Sequence, residues 1–163
     1  MEGPIMFVTP RRDLVTLALA LLATSVLASE ADALKQLQKA SPDHIWDRNS
    51  ALQIDIDSDG RPDCVFLSQD LKSATVGLVL GQSGHRVLVQ TFPIGDPSQD
   101  SLYAAPARIG KELLDYDPTD ATGPISGFMR SKTGTAFILS GGECDVFHFF
   151  WNTKTNNLDW WRL

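Results

Sequence analysis

Nine residues carry the densest chemistry in the chain. Asp55-Ile56-Asp57-Ser58-Asp59-Gly60-Arg61-Pro62-Asp63 sets carboxylates at loop positions 1, 3, 5 and 9, with glycine at 6. Side chains at alternate positions of a tight loop converge on one centre, and Gly60 permits the sharp turn that wraps a cation. Hard oxygen donors of this kind select Ca²⁺, with the Arg61 carbonyl filling position 7. Without a cation the four carboxylates repel one another. At ~6 Å in water each pair costs roughly 0.7 kcal/mol, so six pairs cost about 4 kcal/mol. The expected ligands are therefore Asp55, Asp57, Asp59 and Asp63 through their side chains and Arg61 through its backbone.

The elements around this loop read as strands. Leu52, Ile54 and Ile56 alternate with polar residues before it, and Cys64-Val65-Phe66-Leu67 is a short apolar run after it. Further strands are expected at Thr75–Leu80, Arg86–Phe92, Arg108–Leu114, Ile125–Met129, Thr135–Leu139, Val146–Trp151 and Leu158–Arg162. Gly81-Gln82-Ser83-Gly84 and Asn152-Thr153-Lys154-Thr155-Asn156-Asn157 supply turn chemistry between neighbours. Ahead of them, Ala31, Leu34, Leu37 and Gln38 fall at helical spacing until Pro42 stops the pattern. These elements predict a mainly β (α+β) fold, a small antiparallel β domain with one short N-terminal helix.

An Asp-x-Asp-x-Asp-Gly-x-x-Asp loop running into an apolar strand resembles the calcium loop of FG-GAP and VCBS-type extracellular β-repeat proteins. The resemblance covers about 15 residues, Leu52 to Leu67. It implies the same five calcium ligands. Those families repeat the motif, whereas this chain has it once, so neither a propeller nor adhesion follows. An EF-hand is excluded separately, because position 12 is Phe66 instead of Glu and a strand follows the loop.

The first 28 residues read as a secretory signal. Arg11 and Arg12 precede an apolar run from Leu14 to Ala28, with Val26 and Ala28 placed for cleavage before Ser29. The run is shorter than the ~20 residues that span a bilayer, so no membrane span is expected in the mature form. Residues 29–163 then make one β-rich domain in a periplasmic or secreted protein. Two cysteines, Cys64 and Cys144, suggest one disulfide in that oxidising compartment. With 14 basic and 20 acidic side chains the net charge is −6, and no basic patch offsets it. That argues against nucleic acid as a partner.

Other chemistry is thinner. Asp115, Asp117 and Asp120 cluster without the glycine that a second metal loop needs, and His44, His85 and His148 lack zinc spacing. Ser140-Gly141-Gly142-Glu143-Cys144 lacks the nucleophile elbow, and no paired carboxylates stand apart from the loop. An enzyme is therefore not expected. Aromatic residues crowd the terminal hairpin, and consecutive ones must point to opposite faces. Trp151, Trp160 and Trp161 are the candidate partner surface. The expected function is an exported, non-enzymatic calcium-binding module of the envelope. The alternatives are an inhibitor or immunity-type protein that recognises a protein or glycan through that hairpin, and a hydrolase of wall or glycan polymers.

Overall fold

A computed structural model describes residues 30–81, 86–93, 106–120, 123–141 and 146–162. The segment read as a signal, 1–28, lies outside the described residues. Helix α1 covers residues 30–40. Ten strands follow: β1 Asp47–Ile54, β2 Asp63–Gln69, β3 Ser73–Val79, β4 Val87–Pro93, β5 Arg108–Leu113, β6 Thr119–Asp120, β7 Gly123–Pro124, β8 Thr135–Ser140, β9 Phe147–Asn152 and β10 Asn157–Trp161. Two four-stranded antiparallel sheets form, ordered β1-β2-β3-β4 and β10-β9-β8-β5, and β6 pairs with β7 in a small ribbon. The expected small antiparallel β domain with a short helix is what forms.

Alternation along the strands explains why the sheets stack. In β2, Val65 and Leu67 face the second sheet, while Cys64 and Phe66 face away. In β3, Val76 and Leu78 point inward and Val79 outward. The opposite sheet answers with Phe137, Leu139, Phe149 and Leu158, and the Phe137 and Phe149 rings stack at 4.5 Å. Each fully buried side chain of this size contributes roughly 1.5–3 kcal/mol relative to exposure.

Both outer faces are covered as well, so two sheets become four layers. On the first sheet, Ala33 and Leu37 of α1, together with Trp46, pack on Cys64, Phe66 and Val79. Gly77 makes that approach possible, since a Cβ there would sit 2.6 Å from Leu37 and 2.8 Å from Trp46. Gln38, counted with the apolar face from its spacing, is exposed and instead donates to the Pro42 carbonyl at 3.1 Å beyond the helix end. On the second sheet, the segment after β5 folds back so that Leu114, Tyr116, Ile125 and Phe128 cover Ala136, Phe150 and Trp161.

That covering segment corrects one expectation. Ile125–Met129 is not a strand; Ser126 and Gly127 form a turn. Gly127 has a φ of +79°, which disfavours other residues, and a side chain there would collide with Asn152. Its carbonyl accepts from the Thr153 N–H at 3.1 Å and the Thr153 hydroxyl at 3.2 Å. The apolar residues on either side serve the outer core instead of a ladder. Arg130 holds the same segment by donating to Asp115 at 3.1 Å and Asp117 at 2.8 Å, so two of the three loop acids are ion-paired. The side chain of Asp120 lies outside the described residues.

Packing α1 on a glycine yields a direct expectation. Gly77→Val should lower stability by about 1–3 kcal/mol in urea denaturation, because the helix must lift from the sheet. An unchanged midpoint would contradict the close contact.

Candidate metal centre

β1 and β2 form a hairpin that closes on the pair Ile54↔Asp63, leaving 55–62 as its loop. Two residues of that loop sit in the left-handed region, Ser58 at φ 60° and Gly60 at φ 84°. The reversal they make folds the carboxylates back over the backbone. Gly60 N–H donates to Asp55 Oδ2 at 3.0 Å, Asp59 N–H to Asp57 Oδ1 at 3.2 Å and Arg61 N–H to Asp59 Oδ1 at 2.8 Å. Acidic side chains thus organise the loop locally, as Asx turns do.

Asp63 is the deepest of them, with no exposed surface. Its Oδ2 accepts from Ile56 N–H and its Oδ1 from Gly81 N–H, both at 2.8 Å. One carboxylate therefore ties the loop to the end of β3. Gly81 is required at that spot, since a side chain would collide with the Pro62 carbonyl. Burial pushes the Asp63 carboxyl up to about 6; the Gly81 and Ile56 amides pull it down, and the Asp57 and Asp55 charges push it up.

Oxygens from Asp55, Asp57 and Asp63 lie within 4.8 Å of one another. Two Ca²⁺–oxygen bonds of roughly 2.4 Å placed end to end span that distance. Asp55 makes the stronger point. Its Oδ2 has Gly60, whereas its Oδ1 is shut off from solvent and accepts no hydrogen bond among the described residues. An unsatisfied buried acceptor costs about 1–3 kcal/mol, more when charged. A hard cation would satisfy it. Asp59 stands outside the close group, exposed and turned to the Arg61 amide. Arg61 is likewise exposed.

Two positions that frame the centre carry no signal in the local pattern. Gly81 is one. Thr135, at the start of β8, is the other; its hydroxyl donates to the Asp55 carbonyl at 3.1 Å and docks the loop on the second sheet. Neither contact is readable from spacing, because the partners are 18 and 80 residues apart.

The remaining candidates fall elsewhere. Cys64 is buried on the helix side of β2, next to the loop. Cys144, and so its pairing, lies outside the described residues. Trp161 is 5% exposed, stacked on His148 and enclosed by Tyr116, Phe128 and Phe150, so it is core and not partner surface. Trp160 is 39% exposed and lies edge-on against Phe92 and Phe147. Trp151 is half-buried beneath Arg86 and donates to Asn156. His148 is held through Nδ1 by Glu112 at 2.9 Å.

Comparison with family models, with curated proteins and with solved structures finds no match to this chain. No helix among the described residues is long and apolar enough to cross a membrane.

The raised Asp63 value carries a pH dependence with a definite sign. The unfolded carboxyl titrates near 3.9 and the folded one near 6, so between these values the folded chain holds more protons. Stability from this group is present below about pH 4 and lost as pH rises through about 6. Calcium favours the ionised form and opposes the loss. Urea denaturation across that window should show a decline steeper in chelator than in calcium, by on the order of 1–3 kcal/mol in total. Identical pH profiles in the two buffers would contradict this.

Proposed function

We propose that this protein is an exported, non-enzymatic calcium-binding β-sandwich module of the cell envelope, whose ion orders the β1–β2 loop. The observation that carries the reading is Asp55 Oδ1, buried without a donor beside the Asp57 and Asp63 carboxylates. Asp55, Asp57 and Asp63 hold the ion, and Asp59 and the Arg61 carbonyl join when the loop tightens around it. Export rests on the basic and apolar N-terminal run, and extracellular calcium levels suit an exposed loop of this kind, with Kd on the order of 10⁻⁴–10⁻³ M.

A second reading places a protein or glycan partner on the terminal hairpin, in the manner of an envelope inhibitor. Trp160 favours it, as a large ring left partly open at the edge between β4 and β10. The two readings are compatible. A calcium module can present such an edge.

Thermal melting separates a working metal site from a solvated acidic turn. At calcium of ~100 Kd, mass action adds about 2.7 kcal/mol to stability, and chelator should remove it. Asp55→Asn and Asp57→Asn should each lose most of the calcium increment, and magnesium should replace calcium poorly. A wild-type melting temperature that is the same in calcium and in chelator would overturn the reading.

A further inference from the structure

The β4 edge of the first sheet differs from the other strand edges. β1 carries Asp47 and Arg48 and shifts register before Leu52, β5 carries Arg108, Lys111 and Glu112, and β10 carries Asp159. Charge and irregularity of this kind keep an exposed ladder from pairing with another chain. β4, Val87-Leu88-Val89-Gln90-Thr91-Phe92-Pro93, has no charged residue, and its register with β3 is unbroken. Among the described residues it has β3 on one side and no strand on the other.

The ladder fixes which backbone groups are spare. Leu80 N–H donates to the Arg86 carbonyl at 3.0 Å, and bonded pairs alternate with non-bonded ones along an antiparallel ladder. Leu88, Gln90 and Phe92 therefore turn their backbone groups to β3, while Val87, Val89, Thr91 and Pro93 turn theirs outward. Pro93, which lacks an N–H, falls on the outward side, where the sheet loses no bond by it. Full antiparallel overlap of β4 with a second β4 centres on Gln90. In that register Val89 exchanges both backbone bonds with the partner's Thr91, and Val87 N–H meets the partner's Pro93 carbonyl. Gln90 faces its own copy in a non-bonded pair, where side chains come closest.

The side chain at that centre lacks a partner. Gln90 Oε1 is closed to solvent and accepts no hydrogen bond among the described residues. It belongs to the inner face, opposite Val76 and between Leu88 and Phe92 in the strand. A second Gln90 across a two-fold axis brings an amide N–H to it, and the exchange is reciprocal. An apolar side chain is left open on either side of the strand. Val89, opposite Gly77 on the outer face, is 37% exposed, and Trp160, against Phe92 at the inner rim, is 39% exposed.

Charge and area decide the occupant. The chain carries −6, so two copies repel where acidic surfaces meet, and an uncharged edge lets them approach without that cost. Stacked sheets ~10 Å apart, with their outer side chains, make the edge ~20 Å deep, and 7 residues at ~3.4 Å each set its length. The contact covers about 500 Å² per chain, or about 1,000 Å² in total, the low end for a specific pair. We propose that two copies of this chain pair reversibly through β4, antiparallel about a two-fold axis at Gln90, joining their first sheets into one. The proposal is independent of the calcium site, and it supplies a second copy as occupant of the edge that Trp160 leaves open.

Sedimentation velocity of the full mature chain, from about 1 µM to about 500 µM, tests it. A monomer–dimer equilibrium with Kd on the order of 10⁻⁵ M is the expected result. Val89→Lys, at an exposed position, should weaken association about tenfold or more while the melting temperature of dilute protein stays unchanged. Val89→Thr should keep association within about twofold of the native value. Under mild oxidation Gln90→Cys should yield a covalent dimer, because Cα atoms of a non-bonded pair lie about 4.5 Å apart. Val87→Cys should not, since its two copies are offset along the ladder by about 20 Å. A chain that stays monomeric throughout, or association that Val89→Lys leaves intact, would overturn the pairing. So would a natively melting Gln90→Cys that fails to bond, or a Val87→Cys that bonds as readily. The calcium reading stands or falls separately, because its test reads the stability of dilute protein.

Discussion

Everything at one end of this sandwich hangs on the Asp63 carboxylate. It opens β2, is fully buried, and accepts from Ile56 on one side and Gly81 on the other. Backbone amides that would otherwise be orphaned in the interior thus share one charged acceptor, and hydrogen bonds to charged groups are among the stronger ones. The cost is a buried negative charge next to Asp55 and Asp57. The same residues that fold the loop are therefore the group that could hold a metal ion.

From Asp63 the constraint spreads through contiguous contacts. Gly81 leads to Leu80, whose N–H pairs with the Arg86 carbonyl. Arg86 then reaches across to the β9–β10 turn, donating to the Asn156 carbonyl at 2.9 Å and to Asn157 Oδ1 at 3.0 Å while its guanidinium lies over Trp151. On the far side of that turn, Asn152 donates to the Ser126 carbonyl and its Oδ1 accepts from Lys154 N–H. The β1–β2 loop, the described residues Leu80, Gly81 and Arg86, the terminal hairpin and the outer covering segment therefore meet in one polar end. An ion held in that loop would act on a network joining both sheets, so a site of few residues would reach the stability of the whole domain.

Much of the fold was legible because burial follows the period of each element. Alternation marks β1, the continuous apolar run Cys64–Leu67 marks β2, and the break at Pro42 ends α1. The failure at Ile125–Met129 is instructive: an apolar run also suits a segment that plugs an outer face, and only Gly127, with its positive φ, tells the two apart. The tryptophans show the same limit. Adjacent positions in β10 must diverge, but which of Trp160 and Trp161 is sealed depends on a covering segment distant in sequence, through Tyr116 and Phe128. At the β1–β2 loop, spacing identifies the carboxylates. It does not show that Asp59 turns outward, that Gly81 and Thr135 complete the frame, or that Asp55 Oδ1 is left without a donor, since those depend on strands brought together only by folding.

The central claim is that Asp55, Asp57 and Asp63 bind one calcium ion. Isothermal titration of calcium into chelator-stripped protein at neutral pH tests it most directly, with the Asp55→Ala, Asp57→Ala double variant titrated alongside. The account predicts saturable binding of one ion per chain, with Kd on the order of 10⁻³ M or tighter, and loss of that binding in the variant. No saturable heat with the native protein, or an unchanged isotherm with the variant, would contradict it.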